Sequence, residues 1–309
     1  MASATEHRRP GRSPVGRNPG RSRADHGSKA AYGFVGGYAV LLVLFGIVPL
    51  GYALWMSVTN HKGQLVGLGN FVRVFEDYRF LSAFGNVAIF LVEWLVTLMV
   101  LVIALALLLH NRMRRTARVV RFLYYLPGAF AGAASVLLWL ILLDPVASPI
   151  GPLFELFGWE TFNEVIAPDN LPPIFMVIAF WTGAGSWIVI MYGALNGIPN
   201  EVIEQAKIDG ANGWQTALRI QIPMLSRWIA YMLILAFAAG TQLFVEPQLV
   251  STASGGQVSD SWSPNQLAYQ FAFAAADVNG AAAISVYLLV ISLGCAALVV
   301  FKARLFDKD

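Results

Sequence analysis

Between residues 201 and 223 the chain reads EVIEQAKIDGANGWQTALRIQIP, a polar-faced segment set between two strongly apolar stretches. Its residue types offer no bond-breaking chemistry: it holds carboxylates, amides and glycines, with no nucleophile beside a base. Pro199 is a breaker, and Asn200 after it can accept from the free backbone N–H groups of a first helical turn, while Glu201 favours the positive end of the helix dipole. Ile203, Ala206 and Gly210 recur at helical spacing and make a small-residue face. Gly210 suits the left-handed position that follows a helix, where a Cβ is strained. Asn212 with Gln215 three residues later has the capping-box pattern, so a second short helix starts there. Pro223 falls near the start of the next apolar stretch. The spacing predicts a helix–turn–helix elbow over 196–227 with Glu204 and Asp209 exposed. An ordinary amphipathic loop lying on lipid headgroups is the plainer alternative.

A second set of polar residues lies within apolar stretches. Glu93, in FLVEWLVTL, is an ionisable group where a charge is costly, which makes it either a functional carboxyl or a hydrogen-bonded one facing other helices. Gln242 and Glu246 are spaced i, i+4 and would share one helix face and line a cavity together, with Phe244 between them and a helix break at Pro247. Trp181, Tyr192 and Asn196 in the preceding stretch could add to such a path; aromatic residues there serve equally as packing or as an interfacial belt. The phosphate-cradling pattern Gly-x-x-x-x-Gly-Lys-Ser/Thr is absent, so the chain has no means of hydrolysing ATP. His7, His26, His61 and His110 are scattered and form no ligand cluster, and the single Cys295 excludes an intrachain disulfide.

The elements that position these residues follow from composition. The 309 residues are 57% hydrophobic and 13% charged, with a mean hydropathy of +0.61; soluble domains carry about 25% charge. A helix crosses hydrocarbon with roughly 20 apolar residues, and six segments qualify: 33–58, 87–109, 122–143, 173–195, 228–249 and 281–301. Helices satisfy their own backbone hydrogen bonds in lipid, and the runs lack the alternation of a membrane barrel. Lys and Arg number 18 over the N-terminal tail, 111–121, 196–227 and the C-terminal tail, against 3 in the connectors between. The positive-inside rule then places both termini and the elbow in the cytoplasm.

The first 31 residues, rich in Arg, Gly, Pro and Ser, read as a disordered basic tail that attracts anionic lipid rather than nucleic acid. The connector 144–172, with five acids and five prolines, reads as a cap of small helices on the outer face.

Taken as an ordered set, Glu204, Ala206, Gly210, Ile220 and Pro223 match the EAA loop of ABC importer permeases, and the chain resembles the binding-protein-dependent carbohydrate-uptake (maltose-type) family. Gln205 stands where that family usually has Ala, and Ile222 where it has Leu. Gly67-Leu68-Gly69-Asn70-Phe71, Leu126-Pro127 through Trp139, Ile198-Pro199 and Gly280-Ala281-Ala282-Ala283-Ile284-Ser285-Val286 are also similar to it. The stretch Ser251-Thr252-Ala253-Ser254-Gly255-Gly256-Gln257 matches less well. The resemblance implies an all-α membrane protein with six transmembrane helices and a cytoplasmic coupling loop, residues 32–309 forming the permease domain in a bacterial inner membrane. It implies a second permease subunit in a heterodimer, two ATP-binding subunits that use ATP and Mg, and an extracytoplasmic solute-binding protein. The chain itself would bind no cofactor. The coupling contacts would come from Glu201, Glu204, Gln205, Ala206, Asp209, Gly210, Ile220 and Pro223. The solute would be a sugar or related compound, with glycerol-phosphate uptake, or a secondary transporter, as alternatives.

Overall fold

A computed structural model describes residues 35–110, 114–130 and 132–302; the expected basic tail, 1–31, lies outside them. The chain divides into two units, Met1–Tyr52 and Ala53–Asp309. What is described of the first is a helix beginning at Val35, and this helical run ends at Ser57 in the second. With Tyr78–His110, Pro168–Leu195 and Val278–Phe301 it makes four helices, among the described residues, long and apolar enough to cross a membrane. Two bent pairs, Phe122–Phe130 with Ala133–Leu142 and Gly213–Met224 with Ser226–Gly240, bring the number to six if each is one span.

Two expected spans therefore differ in kind. The segment 122–143 is not one straight helix: Arg114–Tyr125 tightens into a 3-10 turn over Leu126–Phe130, and a new helix runs over Ala133–Leu142. Pro127 lacks an N–H donor and Gly132 adopts φ +87°, so the regular ladder cannot run through. The expected span 228–249 ends early, at Gly240, and a separate helix covers Val245–Ala253. The second span starts sooner than 87, at Tyr78, where Asp77 caps it by accepting from the Arg79 N–H.

The core of the larger unit is built on one stripe of the Tyr78–His110 helix. Val87, Phe90, Leu91, Trp94, Leu98 and Val102 repeat at i, i+3 and i+4 and are buried. They face Phe175, Ile178, Ile188, Met191 and Leu195 of Leu171–Leu195, together with Met232 and Ala236 of Ser226–Gly240. Glycines set the approach. A Cβ on Gly183 would lie 3.4 Å from the Trp94 ring, and one on Gly240 would come within 2.6 Å of Leu91 Cδ2. On Gly185 it would fall on the Tyr124 carbonyl oxygen. Between apolar helices in lipid, close backbone approach replaces hydrophobic drive, and only small residues allow it. A second cluster, Val74, Phe80, Ala83, Leu267, Phe271, Ala283 and Ile284, joins the Gly69–Phe75 and Pro264–Tyr269 helices to the last long helix.

Candidate functional site

The elbow forms from local signals. Its first helix covers Asn200–Ile208 and its second begins at Gly213. Pro199, not Asn200, occupies the N-cap: its φ of −57° and ψ of 136° turn the chain into the helix, and Asn200 is the first helical residue without a side-chain cap bond. The proline ring pre-sets φ, so the boundary falls one residue earlier than the capping preference of Asn suggested. At the other end Gly210 has φ +81°. Its N–H donates to the Lys207 carbonyl at 3.1 Å, and the Ala211 N–H donates to the Ala206 carbonyl at 2.9 Å, the paired bonds of a Schellman turn. Asn212 and Gln215 form the reciprocal capping box: the Gln215 N–H donates to Asn212 Oδ1 at 2.8 Å, and the Asn212 N–H to Gln215 Oε1 at 2.9 Å. Both helix ends are thus satisfied within the elbow itself.

Of the residues singled out there, Glu201, Glu204, Gln205, Asp209, Gly210 and Pro223 are exposed, Ile220 is half-buried and Ala206 is buried. A concavity of about 350 Å³ opens between the two helices, with Asp209, Gln215 and Arg219 on its walls and Ala206 and Ile220 among its apolar lining. The Gly213–Met224 helix meets Ser226–Gly240 at 66°. The bend sits at Leu225, which is buried, two residues after Pro223.

A second polar locus lies where the fifth apolar helix stops. Gln242 is exposed in the turn after Gly240, and Phe244 and Glu246 are half-buried at the start of Val245–Ala253. Gln242 and Glu246 do not share one helix face, because the helix is interrupted between them. Nor does Pro247 break a helix. It sits in the first turn of the new one, where its missing N–H costs nothing, while its ring would clash with the Leu243 carbonyl of any continuous helix. A broken helix leaves backbone polar groups in need of partners; one remote side chain caps a carbonyl here, and two side-chain pairs tie the flanking segments. Asn265 Nδ2 donates to the Thr241 carbonyl at 3.0 Å, Ser292 Oγ donates to Thr241 Oγ1 at 3.2 Å, and Gln266 Nε2 donates to Gln248 Oε1 at 3.2 Å. Aromatic rings flank the break: Phe244 lies 5.7 Å from Tyr269, which lies 4.8 Å from Phe273. Asn265, Tyr269 and Phe273 went unremarked in the sequence because their roles arise only from contacts made across the fold.

Trp181, Tyr192 and Asn196 do not gather into one place. They lie on a single helix and its cap, so Tyr192 stands about 17 Å and Asn196 about 22 Å along the axis from Trp181 at 1.5 Å per residue. Trp181 meets Trp139 edge-on at 5.9 Å, Tyr192 meets His110 at 6.2 Å, and Asn196 Nδ2 donates back to the Tyr192 carbonyl at 2.8 Å. Glu93 is half-buried on the Tyr78–His110 helix, with its Oε2 shielded from solvent and without a hydrogen-bond partner among the described residues.

The sequence model of the family described as "Binding-protein-dependent transport system inner membrane component" matches residues 103–308. The diacetylchitobiose uptake system permease protein NgcF of Streptomyces coelicolor is 28% identical over 292 residues, covering 88% of this chain and 81% of its own. The sn-glycerol-3-phosphate transport system permease protein UgpA of Pectobacterium atrosepticum is 28% identical over 277 residues, covering 87% and 91%. Among solved structures, a bacterial ABC transporter involved in importing the acidic polysaccharide alginate contains a chain of the same fold. Its TM-score is 0.77 at 20% identity, and the match covers 93% of this chain and 99% of that one.

Proposed function

Because this chain belongs to the family of binding-protein-dependent transport system inner membrane components, the non-enzymatic, multi-pass permease subunits of ABC importers, we propose that its 200–224 elbow is the surface on which an ATP-hydrolysing subunit docks. The observation that carries this reading is the elbow's construction. Two short helices are fixed by a Schellman turn and a capping box, and Glu201, Glu204, Gln205 and Asp209 are left exposed on them. A segment locked by its own hydrogen bonds transmits displacement rather than absorbing it. Closure of an ATPase pair against it would tilt the adjoining Ser226–Gly240 helix, and nucleotide would bias the transport equilibrium only through contacts that differ between the two states. The expected arrangement is both termini and the elbow in the cytoplasm, supported by the asymmetry of Lys and Arg. A second permease subunit, two ATP-binding subunits using ATP and Mg, and an extracytoplasmic binding protein complete it. A crystal structure of the alginate transporter in complex with its periplasmic protein matches this chain at TM-score 0.75.

The solute-facing part of this reading is the interrupted helix at 241–246, with Gln242, Phe244 and Glu246 on the path and Trp181 at the adjoining helix. Exposed amide, half-buried carboxyl and flanking rings suit the hydroxyls and faces of a saccharide. Glycerol phosphate is the competing solute, since relatives carry it. The test is uptake into proteoliposomes holding the assembled importer and its binding protein. ATP-dependent accumulation of a neutral oligosaccharide, abolished by Gly210→Val, supports the reading. Uptake that proceeds without ATP would instead make the chain a secondary transporter.

A further inference from the structure

Two apolar side chains at the tip of the elbow are left in solvent. Ile208, the last residue of the first elbow helix, is 84% exposed, and Trp214, the second residue of the next helix, is 72% exposed. They flank the five residues 209–213 that carry the left-handed Gly210. Elsewhere in the elbow Ala206, Ala217 and Leu225 are buried, and the other exposed apolar side chains, Leu218 and Met224, are about half as accessible, at 45% and 47%. The turn is held by backbone bonds and by the Asn212–Gln215 box, so neither Ile208 nor Trp214 is needed to fold it. The concavity lined by Asp209, Gln215 and Arg219 belongs to the same elbow, although neither Ile208 nor Trp214 lines it. Large apolar anchors beside a polar rim are the anatomy of an interface whose partner has been removed.

We propose that Ile208 and Trp214 are the anchors that seat the elbow in an apolar groove of the ATP-hydrolysing partner, with Asp209 and Arg219 framing a pocket for a polar side chain of that partner. This inference rests on the docking reading above and refines it. The exposed carboxylates Glu201 and Glu204 set register and sign, while most of the affinity comes from two residues outside that acidic set. A protein groove is the fitting occupant rather than lipid. The exposed charges around Ile208 are Lys207, Asp209 and, one turn back, Glu204, so inserting it into a negative headgroup layer would carry more negative than positive charge with it.

The test uses the full chain in vesicles of phosphatidylethanolamine and phosphatidylglycerol. The probe is the purified P-loop ATPase that co-purifies with the unaltered chain. Ile208→Ser and Trp214→Ala should each weaken ATPase binding by ten-fold or more, the pair by a hundred-fold, and Trp214→Phe should restore most of it. A bimane on Trp214→Cys, in a Cys295→Ser background, should shift to the blue when ATPase is added and resist quenching by brominated acyl chains. If the double variant binds like the unaltered chain while Gly210→Val does not, the anchors are wrong and the docking reading survives. If both bind normally, the docking reading fails and takes the anchors with it. Quenching by brominated lipid would make Trp214 a membrane anchor and overturn the proposal.

Discussion

The side-chain amides of Asn70 and Asn279, from opposite ends of the chain, both donate to one carbonyl oxygen, that of Thr59, each at 2.8 Å. Asn70 also donates to the Ser57 carbonyl and Asn279 to that of Met56, each at 2.9 Å. These carbonyls lie at and just beyond the end of the first long helix, where the regular ladder stops. Arg73 spans the site from above. Its guanidinium donates to Asn70 Oδ1 at 3.1 Å and pairs with Asp277 at 2.8 Å, and Asp277 accepts the Gly280 N–H. The helix end is thus closed twice: locally, where the Ser57 and Thr59 hydroxyls donate to the Leu54 and Trp55 carbonyls, and remotely, by side chains from the Gly69–Phe75 helix and the last long helix.

Asn279→Ala should lower the stability of the detergent-solubilised chain by about 1–3 kcal/mol, the cost of leaving buried acceptors unpaired. Asn70→Ala should cost a similar amount. Either single change leaves Thr59 with one donor, so the double variant should lose more than the sum. Thermal unfolding of the four proteins measures this, and simple additivity would refute the shared-acceptor account.

Gly210→Ala should cost about 1–2 kcal/mol of local stability, because φ +81° is strained for any L side chain. Gly210→Val should cost more, since a β-branched residue tolerates that region least. A built Cβ meets nothing within 4 Å there, so crowding is not the cause. Gly210→Asn, which accepts the left-handed region, should retain most uptake. Loss of uptake in the order Asn, Ala, Val checks the conformational origin.

Gly185 and Gly193 lie on the same helix and should respond oppositely. A Cβ at Gly185 would occupy the Tyr124 carbonyl, so Gly185→Ala must push two backbones apart and should sharply reduce folded yield. Gly193 faces open space, and Gly193→Ala should be neutral or stabilise by up to about 1 kcal/mol through helix propensity. Expression and melting temperature of the two variants decide it.

The connector before the fourth span carries a pH-dependent cap. Glu164 Oε2 accepts the Glu160 N–H at 2.7 Å and the Thr161 N–H at 2.9 Å, and these two backbone bonds hold its pKa below the ordinary 4.5. A lowered folded pKa means that the stabilisation is fully present above pH 4.5 and is lost as pH falls through the lower folded value. Amide exchange protection at Glu160 and Thr161 should therefore hold from neutral pH down to about 5 and fade in stronger acid. In Glu164→Gln that acid-dependent loss should be absent.

What the sequence disclosed follows from how local each signal was. The Schellman glycine and the Asn212–Gln215 box depend on residues a few positions apart, and both stand in the structure as their spacing implies. Hydropathy located the apolar stretches but averages over interruptions, so the turn at Leu126–Phe130 and the stop at Gly240 left no mark in it. Pro247 was visible, yet a proline announces that a helix cannot pass, not whether it lies at the break or just beyond. Asn70, Asn265 and Asn279 act on carbonyls 11, 24 and 220 positions away. Nothing in their neighbourhoods distinguishes them from any polar residue in a connector. Ile208 and Trp214 look in sequence like the apolar content of a helix, and only their exposure separates them from packing residues.

Thr241 is a knot rather than a hinge. Its carbonyl is held by Asn265 ahead of the last span, its hydroxyl receives Ser292 within that span, and the same hydroxyl donates back to the Ala238 carbonyl of its own helix. Three stretches of chain meet on one small residue beside the gap between Ser226–Gly240 and Val245–Ala253. Axial sliding of the last helix must drag the rim of that gap with it or tear these bonds. On the solute path proposed above, variants that alter what is carried should be sought at Ser292 as readily as at Gln242.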